Sequence, residues 1–191
     1  MTTWDAVHDK RAVREFAARP LDPAHLERIL AAGRRAHSSK NQQRWGFIVV
    51  QDPDRRRELA KVGPYAGHIA GAAVAIALVT PDPRSADAAL SVTWDLGGAA
   101  AQMMLVAWDL GIGSCPVTVY DFDLARELLG YPVDMHCEYI LSFGYPADPA
   151  VLTRPNRQGG RKPLEELVHL ERWSAVTATD ADADANPDTK A

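Results

Sequence analysis

Arg34-Arg35-Ala36-His37-Ser38-Ser39-Lys40-Asn41-Gln42-Gln43-Arg44-Trp45-Gly46-Phe47-Ile48-Val49-Val50 runs out of a helix, through a polar loop and into a strand. Ser, Asn and Gln side chains held between a helix end and a strand start offer hydroxyls, carboxamides and free backbone N–H groups to a polar, planar ligand. A ligand-free turn would have the same composition. The loop therefore gains meaning only from what the rest of the chain places beside it.

Upstream, Asp22 as N-cap and Pro23 at the first helical position open a helix with Leu26, Ile29 and Leu30 on one stripe and Gly33 near its end. Downstream, Trp45 to Val50 is apolar, rich in β-branched and aromatic residues and closed by Asp52-Pro53, which predicts a fully buried central strand. Nearer the N-terminus, Thr3 is expected to cap a first helix to about Arg11, with Trp4 and Val7 on one face. Lys10-Arg11-Ala12-Val13-Arg14-Glu15-Phe16 then turns extended, and alternation sends Val13 one way to pack and Arg14 the other, toward an anion.

A short charged helix over Asp54 to Lys61 is broken by Gly63-Pro64 before a second short element around Tyr65 to Ala70. Ala72 to Val79 reads as a buried strand ended by Pro81-Asp82-Pro83. From about Ser91 to Leu110, the residues Leu96, Ala99, Ala100, Met103, Met104 and Ala107 recur at helical spacing around Gly97, Gly98 and Ala101. Only Asp95 and Asp109 carry charge there, and a helix apolar nearly all round needs cover all round, inside the core or against a second subunit.

Gly111 to Thr118 leaves that helix through two glycines and becomes extended. Asp121 or Asp123 caps a short helix over Ala125 to Leu129, and His136 to Phe143 is a strand. Asp148 to Lys162 is a loop holding a second basic cluster, Arg154, Arg157, Arg161 and Lys162. Pro163 starts a short helix, and Val168 to Trp173 reads as an amphipathic extended arm. The Asp-Ala alternation from Ser174 reads as an acidic disordered tail over 174–191, which leaves one domain over 1–173.

Composition narrows the function classes. The 191 residues suit one domain with a substantial core, and 47% apolar content is ordinary for a globular protein. Formal charge is −4, from 21 basic and 25 acidic residues, and Asp180, Asp182, Asp184, Asp188 and Lys190 supply −3 of it. The remainder is nearly neutral, which argues against nucleic acid or an anionic membrane as partner. Cys115 and Cys137 are too few for a disulfide scaffold, Met1 to Lys10 does not resemble a signal peptide, and a cytoplasmic location is expected. Ile69 to Val79, the longest apolar run, is far short of the ~20 residues that a membrane span requires.

No nucleophile or metal motif stands out. Cys115 precedes a proline, far in sequence from any His, and the six histidines show no HxH, HExxH or CxxC spacing. Neither G-x-G-x-x-G nor G-x-x-x-x-G-K-[ST] occurs. What remains is a set that suits one ligand. Cations near both chain ends suit a phosphate, while the Ser/Asn/Gln loop and the glycine-flanked extended segment suit the edge of a heteroaromatic ring. FMN has both.

In this order and spacing the segments resemble the FMN-dependent nitroreductase family over about Thr3 to Trp173. Lys10 to Phe16 resembles its R-R-S-I-R-x-F opening, and His37-Ser38-Ser39-Lys40-Asn41-Gln42-Gln43-Arg44-Trp45 its P-S-x-x-N-x-Q-P-W signature. Asp95 to Met104 resembles its dimer helix, Gly111 to Thr118 its flavin-face segment, and Arg161-Lys162-Pro163-Leu164-Glu165-Glu166 its C-terminal phosphate segment. Ala12 stands where the family often has Ser, His37 replaces the usual Pro, and Arg44 replaces the Pro before Trp45.

The resemblance implies a three-layer α/β/α protein of the α+β class, with a mixed, mainly antiparallel sheet and a homodimer through the helix around Asp95 to Leu110. It implies FMN as cofactor and NADH or NADPH as donor to an electron-poor acceptor, a nitroaromatic or quinone. Lys10, Arg11 and Arg161 would contact the phosphate and Arg14 the pyrimidine edge, with Ala12 and His37 in the same cofactor-binding segments. Ser38, Ser39 and Asn41 would line the ring and ribityl chain, and Pro116, Val117 and Thr118 would present backbone groups near the reactive nitrogen. No side-chain acid or base is expected, since the flavin carries the chemistry. The other readings are a flavin-binding protein without turnover, and a relative that dehalogenates, cleaves flavin or uses a deazaflavin.

Overall fold

The computed structural model describes residues 2–155 and 161–173. Two compact units divide between Pro155 and Asn156.

The first unit is built on a four-stranded antiparallel sheet in the order β1-β2-β4-β3, with β1 Gly46–Val50, β2 Val74–Pro81, β3 Gly113–Thr118 and β4 Met135–Gly144. The alternation of β2 explains the three layers. Ala75, Ala77 and Val79 face a core with Leu59, Val62, Ile69 and Ile140, covered by α3 (Pro53–Leu59), α4 (His68–Gly71) and α6 (Phe122–Leu129). Val74, Ile76 and Leu78 face the other core with Ile29, Leu96, Met103 and Phe143, covered by α2 (Pro23–Arg34) and α5 (Val92–Asp109). The remaining helix, α1 (Thr3–Asp9), packs Ala6 with Val13 and Trp108. The only parallel pairing among the described residues is a single bridge, Ala12 to Ser114, at the β3 edge.

Local signals placed most elements. The Asp22, Asp52 and Asp121 carboxylates each accept a backbone N–H at the starts of α2, α3 and α6. Two expectations are corrected at the N-terminal side. Thr2, not Thr3, caps α1, because its hydroxyl and the Asp5 carboxylate form a reciprocal capping box that shifts the start back by one residue. And β1 is an edge strand, not a central one: its only partner among the described residues is β2, and its side chains are half-buried except Val50. Trp45, Phe47 and Val49 instead line an open groove of about 860 Å³ with Leu26 and Leu30 of α2.

In the second unit, Pro163 leads a 3-10 turn over Leu164–Glu166, braced by a Lys162–Glu166 ion pair at 3.5 Å. Val168 to Trp173 forms bends, not an extended arm: Glu171 adopts a positive φ of 63°, and the His169 and Trp173 rings stack at 4.1 Å. Arg157 and the predicted tail at 174–191 lie outside the described residues.

Candidate functional site

The predicted site residues of the first unit fall into two groups. The first gathers around β3. The Val13 N–H donates to the Ser114 carbonyl at 3.0 Å, which pins Lys10 to Arg14 across the start of the strand. Two glycines permit that crossing. A Cβ on Gly113 would lie 2.6 Å from Val13 Cβ, and one on Gly144 would lie 2.8 Å from the Phe16 ring. With Val13 buried and Arg14 exposed, the alternation read from sequence is realised. The Arg11 guanidinium lies 5.8 Å from the centre of the Trp108 ring near the end of α5, and its Nε donates to the Asp9 carbonyl.

The parity of β3 decides which backbone groups are offered. The Val119 N–H donates to the Glu138 carbonyl on β4, whereas the Ser114 carbonyl is taken by Val13 on the outer side. Odd positions therefore face β4, and the peptide groups of Pro116 and Thr118 face outward. This corrects one expectation, because the Val117 backbone groups are spent within the sheet. The Thr118 N–H and the Pro116 carbonyl, which accepts from the Cys115 thiol at 3.5 Å, face outward on a stretch of edge bounded at one end by Val13 and at the other by Val62, whose carbonyl accepts from Tyr120. Pro116 suits this position, since an outward-facing residue loses no ladder bond by lacking an N–H.

Arg14 and Lys10 put positive potential on this edge. Burial pushes the Cys115 thiol up, and the charges of Arg14 and then Lys10 pull it the other way. Burial first, and Arg14 second, push the His68 imidazole down, which keeps it neutral at neutral pH. Above the edge, a cavity of about 470 Å³ opens between α5 and the end of the sheet, lined by Leu78, Leu96, Met104, Pro116 and Tyr139 with His136 among its polar groups.

The second group lies at the other end of α5. The Ser39 N–H donates to Asp95 Oδ2 at 3.0 Å, and the Gln43 N–H donates to Ser38 Oγ at 3.0 Å. The His37 ring packs on Gly98, where an added Cβ would come within 3.0 Å of it. Lys40, Asn41 and Gln43 all adopt positive φ, between 48° and 53°, which costs non-glycine residues free energy and needs an external hold. Asp95, only 7% exposed, supplies one. Asp95→Ala is expected to lower stability by about 1–3 kcal/mol through the orphaned Ser39 N–H, and to speed tryptic cleavage after Lys40; unchanged cleavage would show that the loop is held elsewhere.

The two groups are not contiguous in one chain. Asp95 and Trp108, the supports of loop and cations, are thirteen residues apart on α5, about 20 Å along its axis. Arg161 belongs to the second unit. Sequence reasoning missed His68, whose partner Ser142 lies 74 positions away, and the holding role of Asp95, although a lone acid in an apolar helix is a signal of it. Among the described residues no group of His, Cys, Asp and Glu is placed to hold a metal ion, and no helix is long and apolar enough to cross a membrane.

Helices on both faces of an antiparallel β1-β2-β4-β3 sheet define an α+β protein, with cations gathered at one sheet edge. The family model for the nitroreductase family matches residues 7–63 and 60–145, and the chain belongs to that family. A relative from Archaeoglobus fulgidus, provisionally named NADH dehydrogenase/NAD(P)H nitroreductase, is 31% identical over 173 residues, covering 87% of this chain and 96% of its own length. The structure of a nitroreductase family protein from Clostridium difficile 630 shares 25% identity with a TM-score of 0.75, over 91% of this chain and 100% of that one. An FMN-dependent nitroreductase from Clostridium difficile R20291, at 23% identity over 89% of this chain and 99% of its own, has a TM-score of 0.75 and shares the fold.

Proposed function

We propose that the protein is an FMN-dependent oxidoreductase that takes electrons from NADH or NADPH and passes them to an electron-poor acceptor such as a nitroaromatic or quinone. The observation that carries this reading is the open edge of β3, where the Thr118 N–H and Pro116 carbonyl face outward beside Arg14. A ring with acceptors and a donor along its rim fits such an edge. Lys10 and Arg11 lie upstream along the same segment, where a phosphate tail would reach.

Bound there, FMN would supply the redox chemistry, accepting a hydride from the nicotinamide and returning two electrons to the acceptor. The chain's part is positional and electrostatic. The Arg14 guanidinium would stabilise negative charge on the pyrimidine edge, as donors do in an oxyanion hole. The Thr118 N–H would fix the ring, and the apolar cavity beside Pro116 would hold a planar partner away from water.

Two copies complete the site. On α5, Trp94, Gly97 and Ala101 form an exposed stripe at helical spacing, and Trp94 is 72% exposed. Packing this stripe against itself about a two-fold axis runs the helices antiparallel and brings the Asp95 end of one helix closer to the Trp108 end of the other, about 12 Å along the axis against about 20 Å within one chain. The loop of one subunit, with His37, Ser38, Ser39 and Asn41, then meets the cations of its partner.

The purified protein is expected to be yellow, to carry FMN and to bleach within seconds of adding NADH or NADPH without oxygen. Arg14→Ala should stay folded and bind FMN roughly tenfold or more weakly, as expected for a lost charge-assisted bond. Stable binding without bleaching would make it a flavin carrier, and a colourless protein that refuses added FMN would sink the reading.

A further inference from the structure

β4 carries one residue more than the strand beside it, and that residue is charged. Leu78 pairs with Tyr139 and Val79 with Cys137, which leaves Glu138 without a partner in β2. A bulge of this kind interrupts the alternation of side chains and re-aims them. Glu138 and Tyr139, although adjacent in sequence, accordingly both line the cavity of about 470 Å³ that reaches Pro116.

The Glu138 carboxylate is held in place from the buried side. His136 is 1% exposed, and its Nδ1 lies 3.3 Å from a terminal nitrogen of Arg84. A guanidinium only donates, so Nδ1 accepts and the ring proton sits on Nε2. That Nε2–H donates to Glu138 Oε2 at 2.7 Å, and the carboxylate makes no other hydrogen bond among the described residues. Arg84 itself lies outside the cavity wall and is spent on Asp82, donating to one carboxylate oxygen at 2.9 Å and to the other at 3.0 Å.

Among the described residues Glu138 is therefore the one formally charged group in the cavity wall. Most of the rest is apolar, and the Thr80 hydroxyl is engaged by the Arg44 carbonyl. An anionic ligand entering this space meets a like charge with little water to screen it. A cationic one meets a carboxylate already oriented, with the Tyr139 ring beside it.

We propose that Glu138 is a specificity-determining residue that selects cationic aromatic acceptors over anionic ones, the positive arm lying at the carboxylate and the ring inside the cavity. The proposal rests on the reading above, in which this cavity receives the acceptor of an FMN-dependent reduction.

Steady-state reduction of three acceptors by the FMN-loaded protein tests it: (4-nitrobenzyl)trimethylammonium, 4-nitrobenzoate and, as the neutral reference, 4-nitrobenzyl alcohol. Glu138→Gln, which keeps an oxygen for His136 and removes the charge, should lower the cation-to-anion ratio of kcat/KM about tenfold or more, and Glu138→Lys should invert it. Comparing each ratio with that of wild type cancels the different intrinsic reactivities of the acceptors. A ratio unchanged in folded Glu138→Gln overturns the proposal while leaving the FMN reading intact. A ligand-observed NMR titration of the wild-type protein needs neither turnover nor a variant: benzyltrimethylammonium should bind about tenfold more tightly than benzoate, and equal affinity or tighter benzoate overturns the proposal. Failure of wild type to hold FMN, or to reduce any of the three acceptors with NADH or NADPH, overturns both.

Discussion

Gly97→Glu is expected to give a protein that elutes as a folded monomer and holds no FMN. Within one chain nothing lies within 4 Å of a Cβ at this position, which borders the cavity beside Pro116, so the subunit state rather than flavin loss is the deciding readout. Replacing a mid-helix glycine should even favour α5 by about 0.5–1 kcal/mol. At the proposed two-fold seam through Trp94, Gly97 and Ala101, however, the substitution would set two carboxylates against each other in an apolar contact. Burial of an uncompensated charge costs about 3–5 kcal/mol, so association should weaken by at least about 100-fold. Sedimentation velocity with absorbance at the flavin band reads subunit and cofactor together. A variant that remains dimeric and yellow would place the interface elsewhere on the molecule.

Gly113→Ala should have the second largest effect, of the opposite kind. Its new methyl would sit 2.6 Å from Val13 Cβ and 2.7 Å from Cγ1, too close for any rotamer to relieve. Val13 cannot retreat easily, because its own N–H is bound to the Ser114 carbonyl and its side chain is 5% exposed. The segment carrying Lys10 to Arg14 must lift from β3. A loss of about 2–3 kcal/mol is expected, lowering Tm by about 5–10 °C, together with weaker FMN binding. Gly33→Ala is a control for bulk alone: its new methyl meets the far end of the flexible Met103 side chain, on a face away from the cations. If Gly113→Ala binds FMN as wild type does, the cations do not depend on this crossing.

Much of the frame is legible in the chain because its signals are local. The carboxylates at Asp22, Asp52 and Asp121 cap the helices they precede, since a cap needs only a neighbour two or three residues on. The alternation that buries Val13 and exposes Arg14 is likewise a property of the segment itself. The apolar run at Trp45 to Val50 misleads for the converse reason: composition reports that side chains need cover, not whether a second strand supplies it, and here α2 covers part of β1 while its outer edge pairs with no strand among the described residues.

The sequence by itself therefore determined most of the elements, the cation segment and the polar loop, each through residues within a turn or two of one another, and the three-layer class through the family resemblance that these segments carry. The tertiary structure alone decided how these parts relate. It set the parity of β3 that turns Thr118 outward and Val117 inward, the pairing of His68 with Ser142, and the placing of loop and cations at opposite ends of α5. Register and partner choice arise from contacts between residues tens of positions apart, and a pattern that repeats every two or 3.6 residues looks the same whichever neighbour it meets.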